Sequence, residues 1–416
     1  MNNRKIFYGW WIVIGGMIMM SFASTLVDTL NSLYVIPISE DMGLTRSQYM
    51  MTSTITAISC IIATPLIGKF MTQKNLRKVQ LTATLTMAIA YASFALATSA
   101  WHLYLASVFI GFTFMAAGMI PASVMITNWF HHKQGLAMSI VFAGINVGGM
   151  VLSPVITNLI IHLGWRSTRL IIALIFIAAA LPTILFVLKA TPEEMGLKPY
   201  TQKIKGNTNT RQSAKQNLTA GIRIPLASAQ KKGFYYLFML GMVVSGFACA
   251  GGMQHIGPFA TDLHDPIFAS LMISIYSFSA IVGKLALGWL YDKYGHNQSL
   301  LFGGVLFLGA FGLMAFFGTN QVLMGVAAAM FGIGNSTGSI NANFIAYSIF
   351  GKSNYSYVLA LSKSTQEIGK AIGPLTLALM YDYIGDYKIP WILSFIFVAI
   401  YLFSWVKSYN HSRHYV

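Results

Sequence analysis

The sequence predicts an all-α integral membrane protein, with twelve transmembrane helices arranged as two pseudo-symmetric halves of six. Three observations carry that reading. Apolar stretches of about 20 residues, the length that crosses a bilayer core, recur along nearly the whole chain. Charged residues make up only 9% of it, against about 25% in a soluble domain. One long polar stretch, 190–232, divides the apolar stretches six and six.

The stretches fall at 8–30, 47–68, 79–98, 101–127, 135–162 and 168–189, then at 233–257, 267–290, 300–318, 321–346, 356–381 and 389–407. They are called the first to twelfth spans below. Between them lie only short polar breaks, so the chain has little left for a soluble domain. Met1-Asn2-Asn3-Arg4-Lys5 runs straight into the first span with no small-residue cleavage site, which reads as a retained helix. Cys60 and Cys249 both sit inside spans and read as small apolar packing residues, with neither a disulfide framework nor a metal site implied.

The net charge of +16 raises nucleic acid as a partner, but the placement of the charge argues against it. Most of the Lys and Arg fall on one side of a twelve-span topology: Arg4 and Lys5; Lys69, Lys74, Arg77 and Lys78; and the cluster from Lys189 to Lys232. The other side carries only Arg46, Arg166, Arg169 and Lys388, here assigned to outer loops. This asymmetry puts both termini and 190–232 in the cytoplasm, in a multi-pass protein of the plasma membrane. The expected organisation is a half at 1–189, a mostly disordered polar linker at 190–232, and a half at 233–416.

A shift of 220 residues superposes Gly68 on Gly288, Phe130 on Phe350, Gly149 on Gly369 and Pro154 on Pro374. An even number of spans per half keeps both halves in one orientation, which is the parallel-repeat arrangement of transporters whose substrate site lies near the midplane between halves. Gly144, Gly148 and Gly149 are expected to let helices approach closely. Trp10 and Trp11 read as interfacial anchors.

Gly288-Trp289-Leu290-Tyr291-Asp292-Lys293-Tyr294-Gly295-His296 resembles the loop signature of the major facilitator superfamily, Gly-x-x-x-Asp-Arg/Lys-x-Gly-Arg/Lys. The first copy, Gly68 to Arg77, is degenerate, with Thr72 in the aspartate position. Further segments resemble the branch of monocarboxylate transporters and oxalate/formate antiporters. They are Tyr8-Gly9-Trp10-Trp11, Ile38 to Arg46, Asn128-Trp129-Phe130 with Lys133 and Gly135-Leu136-Ala137, Gly164-Trp165-Arg166, and Pro192 to Leu197. The resemblance implies a secondary transporter working by alternating access, with Gly288, Asp292, Lys293 and Gly295 in a gating loop away from substrate.

Ionisable groups inside spans cost about 3 kcal/mol or more at the centre, so each needs a reason. The candidates are Asp28, Lys284, Lys363, Glu367 and Lys370. The last three are spaced four and three apart and share one face of the eleventh span. Lys284 and Lys363 both lie roughly 8–9 Å to the cytoplasmic side of their span centres, at 1.5 Å per residue. The resemblance implies a basic residue on each of these two helices, binding substrate carboxylates. Lys284 matches on the eighth span. On the eleventh, Lys363 fits by depth, with Lys370 the alternative. Glu367, Lys370 and Asp28 are the further candidates for substrate or coupling contacts. Ala280 stands where the monocarboxylate transporters carry an aspartate, which shifts the expectation toward exchange, or toward proton coupling through Glu367 or Asp28. Asn31, Tyr34, Asn146, Gln254, Tyr276, Asn341 and Asn343 are amide and aromatic residues of the kind that would complete a site.

Three rival functions are weaker. Gly334-Asn335-Ser336-Thr337-Gly338 fits the nucleophile-elbow spacing, but it lies in an apolar helix rather than at a strand-to-helix turn, so no enzyme is expected. No phosphate-binding loop is present, and no cofactor or metal is implied. A sensor needs an output domain, and 190–232 is too short and polar to be one. An exporter of hydrophobic compounds needs an apolar cavity, against which three intramembrane lysines argue. The expected partners are a small organic anion, mono- or dicarboxylate, with protons or a counter-anion, and the lipid bilayer; the expected state is a monomer.

Overall fold

A computed structural model describes residues 7–72, 75–200 and 230–413. Arg4, Lys5, Lys74 and most of the linker predicted at 190–232 lie outside the described residues. Among the described residues the chain is helical and without strands; a single backbone bridge joins Phe130 to Tyr200.

The helices follow the hydropathy. Gly9–Asp28, Arg46–Phe70, Leu76–Ser93, Gly233–Leu263, Pro266–Tyr294, His296–Phe317 and Lys388–Ser412 each correspond to one predicted span. Among the described residues, ten helical stretches are long and apolar enough to cross a membrane. One of them, Gln134–Val187, has 54 residues. At 1.5 Å per residue that is roughly 80 Å, far beyond one bilayer crossing. It breaks at Gly164, whose φ of 76° and ψ of 164° only glycine adopts without strain. The fifth and sixth spans are therefore separate. The helical run Thr337–Ile384 also holds more than one crossing. Gln366 donates to the Gly338 carbonyl at 3.1 Å, whereas 28 residues of straight helix would hold them roughly 40 Å apart. The chain turns back between them, giving the end of the tenth span and the eleventh. Lys363, Glu367 and Lys370 make the eleventh the most charged of the spans.

The chain packs as two compact units. One is Met1–Lys203 with Ile256–Ser274; the other is Ile204–His255 with Ile275–Val416. In the first unit, spans one and five touch backbone to backbone. A Cβ on Gly144 would collide with the Met17 carbonyl, and one on Gly148 with the Ser21 carbonyl. Ser21 Oγ also donates to the Gly144 carbonyl at 2.8 Å. The second unit repeats the device on spans seven and eleven, where Gly369 faces the Val243 carbonyl and Gly373 the Phe247 carbonyl. In both units the two glycines are four apart and so are the two carbonyls. Spans two and four cross at Gly111, against the Thr56 carbonyl and Ser59; spans eight and ten cross at Gly332, against the Tyr276 carbonyl and Ser279. Thr56 and Tyr276 are 220 residues apart, as are Ser59 and Ser279, the shift read from the sequence; Gly369 answers in packing to Gly144, 225 residues earlier, rather than to Gly149.

The repeat extends to a defect. The fourth span loosens into a π-turn at Met115–Met119. The tenth tightens by one turn at Ser336, between Gln321–Asn335 and Thr337–Ile384, where the Ser336 amide donates to the Ile333 carbonyl at 3.2 Å. The same shift of 220 carries the first defect onto the second. The Gly334 to Gly338 run lies at this turn and is packed as expected, Gly334 on Phe307 and Gly338 on Cys249.

Close packing at these glycines carries a testable consequence. Gly148→Ala forces a Cβ onto a backbone carbonyl that cannot move alone, at a cost of about 1–3 kcal/mol or more. Gly288→Ala adds a Cβ with no atom within 4 Å. Size-exclusion profiles of detergent-solubilised protein should show loss of the monodisperse peak for Gly148→Ala and not for Gly288→Ala. Equal behaviour would contradict the packing described.

The motif segments far apart in sequence meet at the two ends of the first unit. At one end, Trp165 Nε1 donates to Asp41 at 3.2 Å and the Arg166 guanidinium pairs with the same carboxylate. At the other, Trp129 Nε1 donates to the Lys189 carbonyl at 2.9 Å, Asn128 to the Ala190 carbonyl at 3.0 Å, and Tyr8 Oη to the Val187 carbonyl at 2.9 Å. Tyr200 packs on Phe7 and Phe130, and its amide donates to the Trp129 carbonyl at 2.8 Å. The first residues of the predicted linker are therefore ordered against the helix bundle. Residues 256–274 are tied in as well: Arg46 grips Asp262 with two hydrogen bonds of 2.7 and 2.6 Å, and Ser153 Oγ donates to the Ser270 carbonyl at 3.0 Å.

Candidate functional site

The eleventh span presents the charges predicted for it, and the structure pairs them selectively. Glu367 lies four residues after Lys363 and three before Lys370, so helix geometry alone permits either partner. Glu367 Oε1 takes Lys370 Nζ at 2.6 Å. Lys363 Nζ instead donates to Gln366 Oε1 at 3.1 Å, a neutral amide. Among the described residues no carboxylate lies within ion-pair distance of Lys363. The charged and titratable neighbours acting on it are Lys370, Glu367 and the thiol of Cys249; Lys284 is not among them.

Gln366 is the residue that sequence reasoning missed here. It is buried, and its Nε2 donates to the Gly338 carbonyl at 3.1 Å and to Ser245 Oγ at 3.4 Å. It thus links the eleventh span to the tenth and the seventh. A lone glutamine on a helix carries no spacing signal.

Lys284 sits half-buried on Pro266–Tyr294, with no hydrogen bond to any described residue. Its neighbour Gly283 is pressed on the Ile333 backbone of the tenth span, 2.6 Å from where a Cβ would stand. One turn earlier, the carbonyl of Ala280 accepts from Ser336 Oγ at 3.1 Å. Position 280, where the resembling branch carries an aspartate, is here part of a tight helix crossing. At the same crossing Asn335 Nδ2 donates to Tyr276 Oη at 3.1 Å, and Cys249 Sγ lies 3.9 Å from the Asn335 carbonyl. Spans seven, eight, ten and eleven of the second unit thus share one polar cluster beside the turn at Ser336.

The remaining predicted residues are placed elsewhere. Asp28 is half-buried at the last position of Gly9–Asp28, where the chain tightens into the 3₁₀ turn Leu30–Tyr34. Asn146 and Gln254 are buried, and Asn341 accepts from Ser299 Oγ at 3.4 Å; Asn343 is half-buried. The predicted gating loop is mostly helix: Gly288, Asp292 and Lys293 continue Pro266–Tyr294, and only Gly295, at φ 87° and ψ −176°, turns the chain into His296–Phe317. Asp292 is exposed, and the Lys293 ammonium lies 4.8 Å from the Trp289 ring.

Arg169, assigned to an outer loop by its charge, is 1% exposed inside the first unit. Its guanidinium lies 3.8 Å from the Tyr34 ring, 4.4 Å from Tyr91 and 4.7 Å from Phe94. It donates to Asn31 Oδ1 at 3.2 Å and Tyr49 Oη at 3.0 Å. No carboxylate pairs with it among the described residues; the aromatic faces and neutral oxygens stabilise the charge. Asn31 and Tyr34 belong to this cage, not to the cluster around Lys363. His255, fully buried in the second unit, has one nitrogen 2.8 Å from the Pro374 carbonyl and the other 3.0 Å from Tyr387 Oη. The carbonyl demands a donor, so Nε2 carries a proton, and Nδ1 shares a hydrogen bond with the tyrosine hydroxyl. The imidazole ties the seventh span to the eleventh at its proline.

Comparison with known proteins agrees with this architecture. Solved structures similar in fold include a bacterial homologue of the human lysosomal transporter Spinster, in an inward-facing and unoccupied conformation. It gives a TM-score of 0.70 at 14% identity over 99% of both chains. The nucleoside transporter NupG gives 0.70 at 14% identity, over 97% of this chain and 99% of that one. Among curated sequences, the MFS-type transporter YcxA of Bacillus subtilis is 22% identical over 273 residues, 64% of this chain. The chain spans 62% of that relative's length. Monocarboxylate transporter 2 of Mus musculus is 22% identical over 405 residues, 93% of this chain and 81% of that protein. The family model of the Major Facilitator Superfamily matches residues 13–259 and 237–409. With the family pattern running through nearly every span and the fold shared end to end, this multi-pass membrane protein belongs to the Major Facilitator Superfamily.

Proposed function

We propose that the protein is a secondary active transporter of small organic anions, mono- or dicarboxylates, working by alternating access. One observation carries the anion assignment. The eighth and eleventh spans bring three lysines into the membrane against one glutamate, and Lys370 takes that glutamate. Lys363 and Lys284 are left with no carboxylate partner among the described residues. An uncompensated ammonium in a low-dielectric span is costly, and a substrate carboxylate is the partner that offsets it. Lys363, held by Gln366 rather than by an acid, is the eleventh-span base of this reading, and the Glu367–Lys370 pair is where a coupling proton or counter-anion acts.

Counterflow in proteoliposomes tests it, using radiolabelled acetate, lactate and oxalate as separate probes. Accumulation of at least one, competed by the unlabelled compound, is the expected result. No accumulation of any, together with uptake of a hydrophobic cation, would move the assignment to an exporter of hydrophobic compounds.

The topology is part of the same proposal. Both termini and 190–232 face the cytoplasm of a plasma-membrane protein, on the asymmetry of Lys and Arg. A cysteine introduced within 200–215 in a background lacking Cys60 and Cys249 should stay unlabelled by an impermeant maleimide in intact cells and label after lysis. Labelling before lysis would reverse the orientation.

A further inference from the structure

We infer that Gln366 is a positioning residue for substrate: it aims the Lys363 ammonium without neutralising it. The inference rests on the anion-binding reading of Lys363 and adds a residue that acts through it.

The amide has one orientation open to it. Its nitrogen faces the Gly338 carbonyl at 3.1 Å, an acceptor that cannot donate, so the nitrogen end is fixed there. Ser245 Oγ, at 3.4 Å from the same nitrogen, is compatible with it. The oxygen end is then turned to Lys363 Nζ at 3.1 Å. The side chain has no room to swing. It is 5% exposed. A Cβ on Gly246 of the seventh span would collide with the Gln366 backbone carbonyl and lie 3.2 Å from its Cγ. A Cβ on Gly338 would lie 2.9 Å from Cys249 Sγ and 3.4 Å from Gln366 Nε2. Two glycines from two other helices therefore leave the space this side chain fills.

The chemistry of the holder matters. A carboxylate at 366 would orient Lys363 equally well, as Glu367 does Lys370 at 2.6 Å, but it would cancel the charge that substrate needs. A neutral oxygen accepts one of the three ammonium protons and leaves the net charge and the other two protons for the anion. Gln366 and Glu367 are adjacent in sequence and opposite in effect: one aims a lysine without adding a negative charge, the other pairs with a lysine and removes it from competition.

The test is a double-mutant cycle read as probe affinity in proteoliposomes, with melting temperature followed in parallel. The probe is whichever of acetate, lactate and oxalate gives counterflow. Gln366→Glu should weaken probe binding by roughly tenfold or more, and the apolar near-isostere Gln366→Met by a smaller factor, each mainly in KM. In a Lys363→Gln background the neutral Gln366→Met should not weaken binding further, because residues acting as one unit are non-additive, while Gln366→Glu should still weaken it by repelling the anion. Should Gln366→Glu not fold, Gln366→Met in the two backgrounds decides. Wild-type affinity in the Gln366 variants, or a Gln366→Met loss that adds to that of Lys363→Gln, overturns the positioning role and leaves the anion reading standing. Wild-type affinity in Lys363→Gln itself overturns the anion reading instead.

Discussion

Lys363→Gln and Lys284→Gln should each weaken carboxylate binding by roughly thirtyfold or more, with the protein still folded. Truncating one partner of a desolvated charge pair costs about 2–5 kcal/mol, and about 1.4 kcal/mol is a factor of ten in affinity. Folding is spared because neither ammonium forms an ion pair with a carboxylate among the described residues. Lys363 has an amide partner and Lys284 none among the described residues. Glutamine keeps the length and polarity and removes only the charge. Glu367→Gln should act in the opposite sense. Lys370 then loses its ion pair at 2.6 Å, the site gains net positive charge, and anion affinity is kept or raised while return of the empty carrier slows. Inhibition constants for unlabelled probe in counterflow measure all three. Wild-type affinity in both lysine variants would make the lysines structural and remove the physical basis for an anion.

Arg169→Ala should destabilise the first unit by about 3–5 kcal/mol, the range of truncating a large fully buried side chain. Three terms add in one direction. The side chain is 1% exposed, so its removal leaves a cavity walled by Tyr34, Tyr91 and Phe94. The desolvated cation–π contacts are lost, each up to about 2 kcal/mol. Tyr49 Oη and Asn31 Oδ1 lose a charged donor, although Tyr49 still donates to Asn31 at 2.7 Å. The cage draws its residues from the second, third and sixth spans and the 3₁₀ turn after the first, so one substitution loosens four segments. Arg166→Ala is the control. Its ion pair with Asp41 has side chains 42% and 44% exposed, and such surface pairs contribute about 0–1 kcal/mol. Thermal unfolding in detergent should separate the two variants clearly. Similar melting temperatures would mean that the cage is not what holds these helix ends.

The twelve spans were legible in the amino-acid sequence because the bilayer imposes a length on each apolar run, and that length can be read without knowing any partner. The internal repeat was legible for a related reason. Close helix crossings demand glycine, and glycines such as Gly148 and Gly369 mark the crossings directly in the sequence. Charges behaved differently. Spacing placed Lys363, Glu367 and Lys370 on one face correctly, but a carboxylate between two amines at four and three residues has no local reason to choose. The buried amide of Gln366, fixed by Gly338 and Ser245 of other helices, takes Lys363, and Glu367 takes Lys370. Arg169 was read as an outer-loop charge because a cation near the end of an apolar run is usually wet. Its burial depends on aromatic residues from two other spans and the turn after the first, distant in sequence. The tightened turn at Ser336 was equally invisible, since the local pattern there is continuously helical, whereas the fold-back between Gly338 and Gln366 follows the separation of 321–346 from 356–381 read in the sequence. What the membrane dictates acts segment by segment and is written locally. Which polar groups pair within it is decided by the side chains of neighbouring helices, and only the packed structure brings those together.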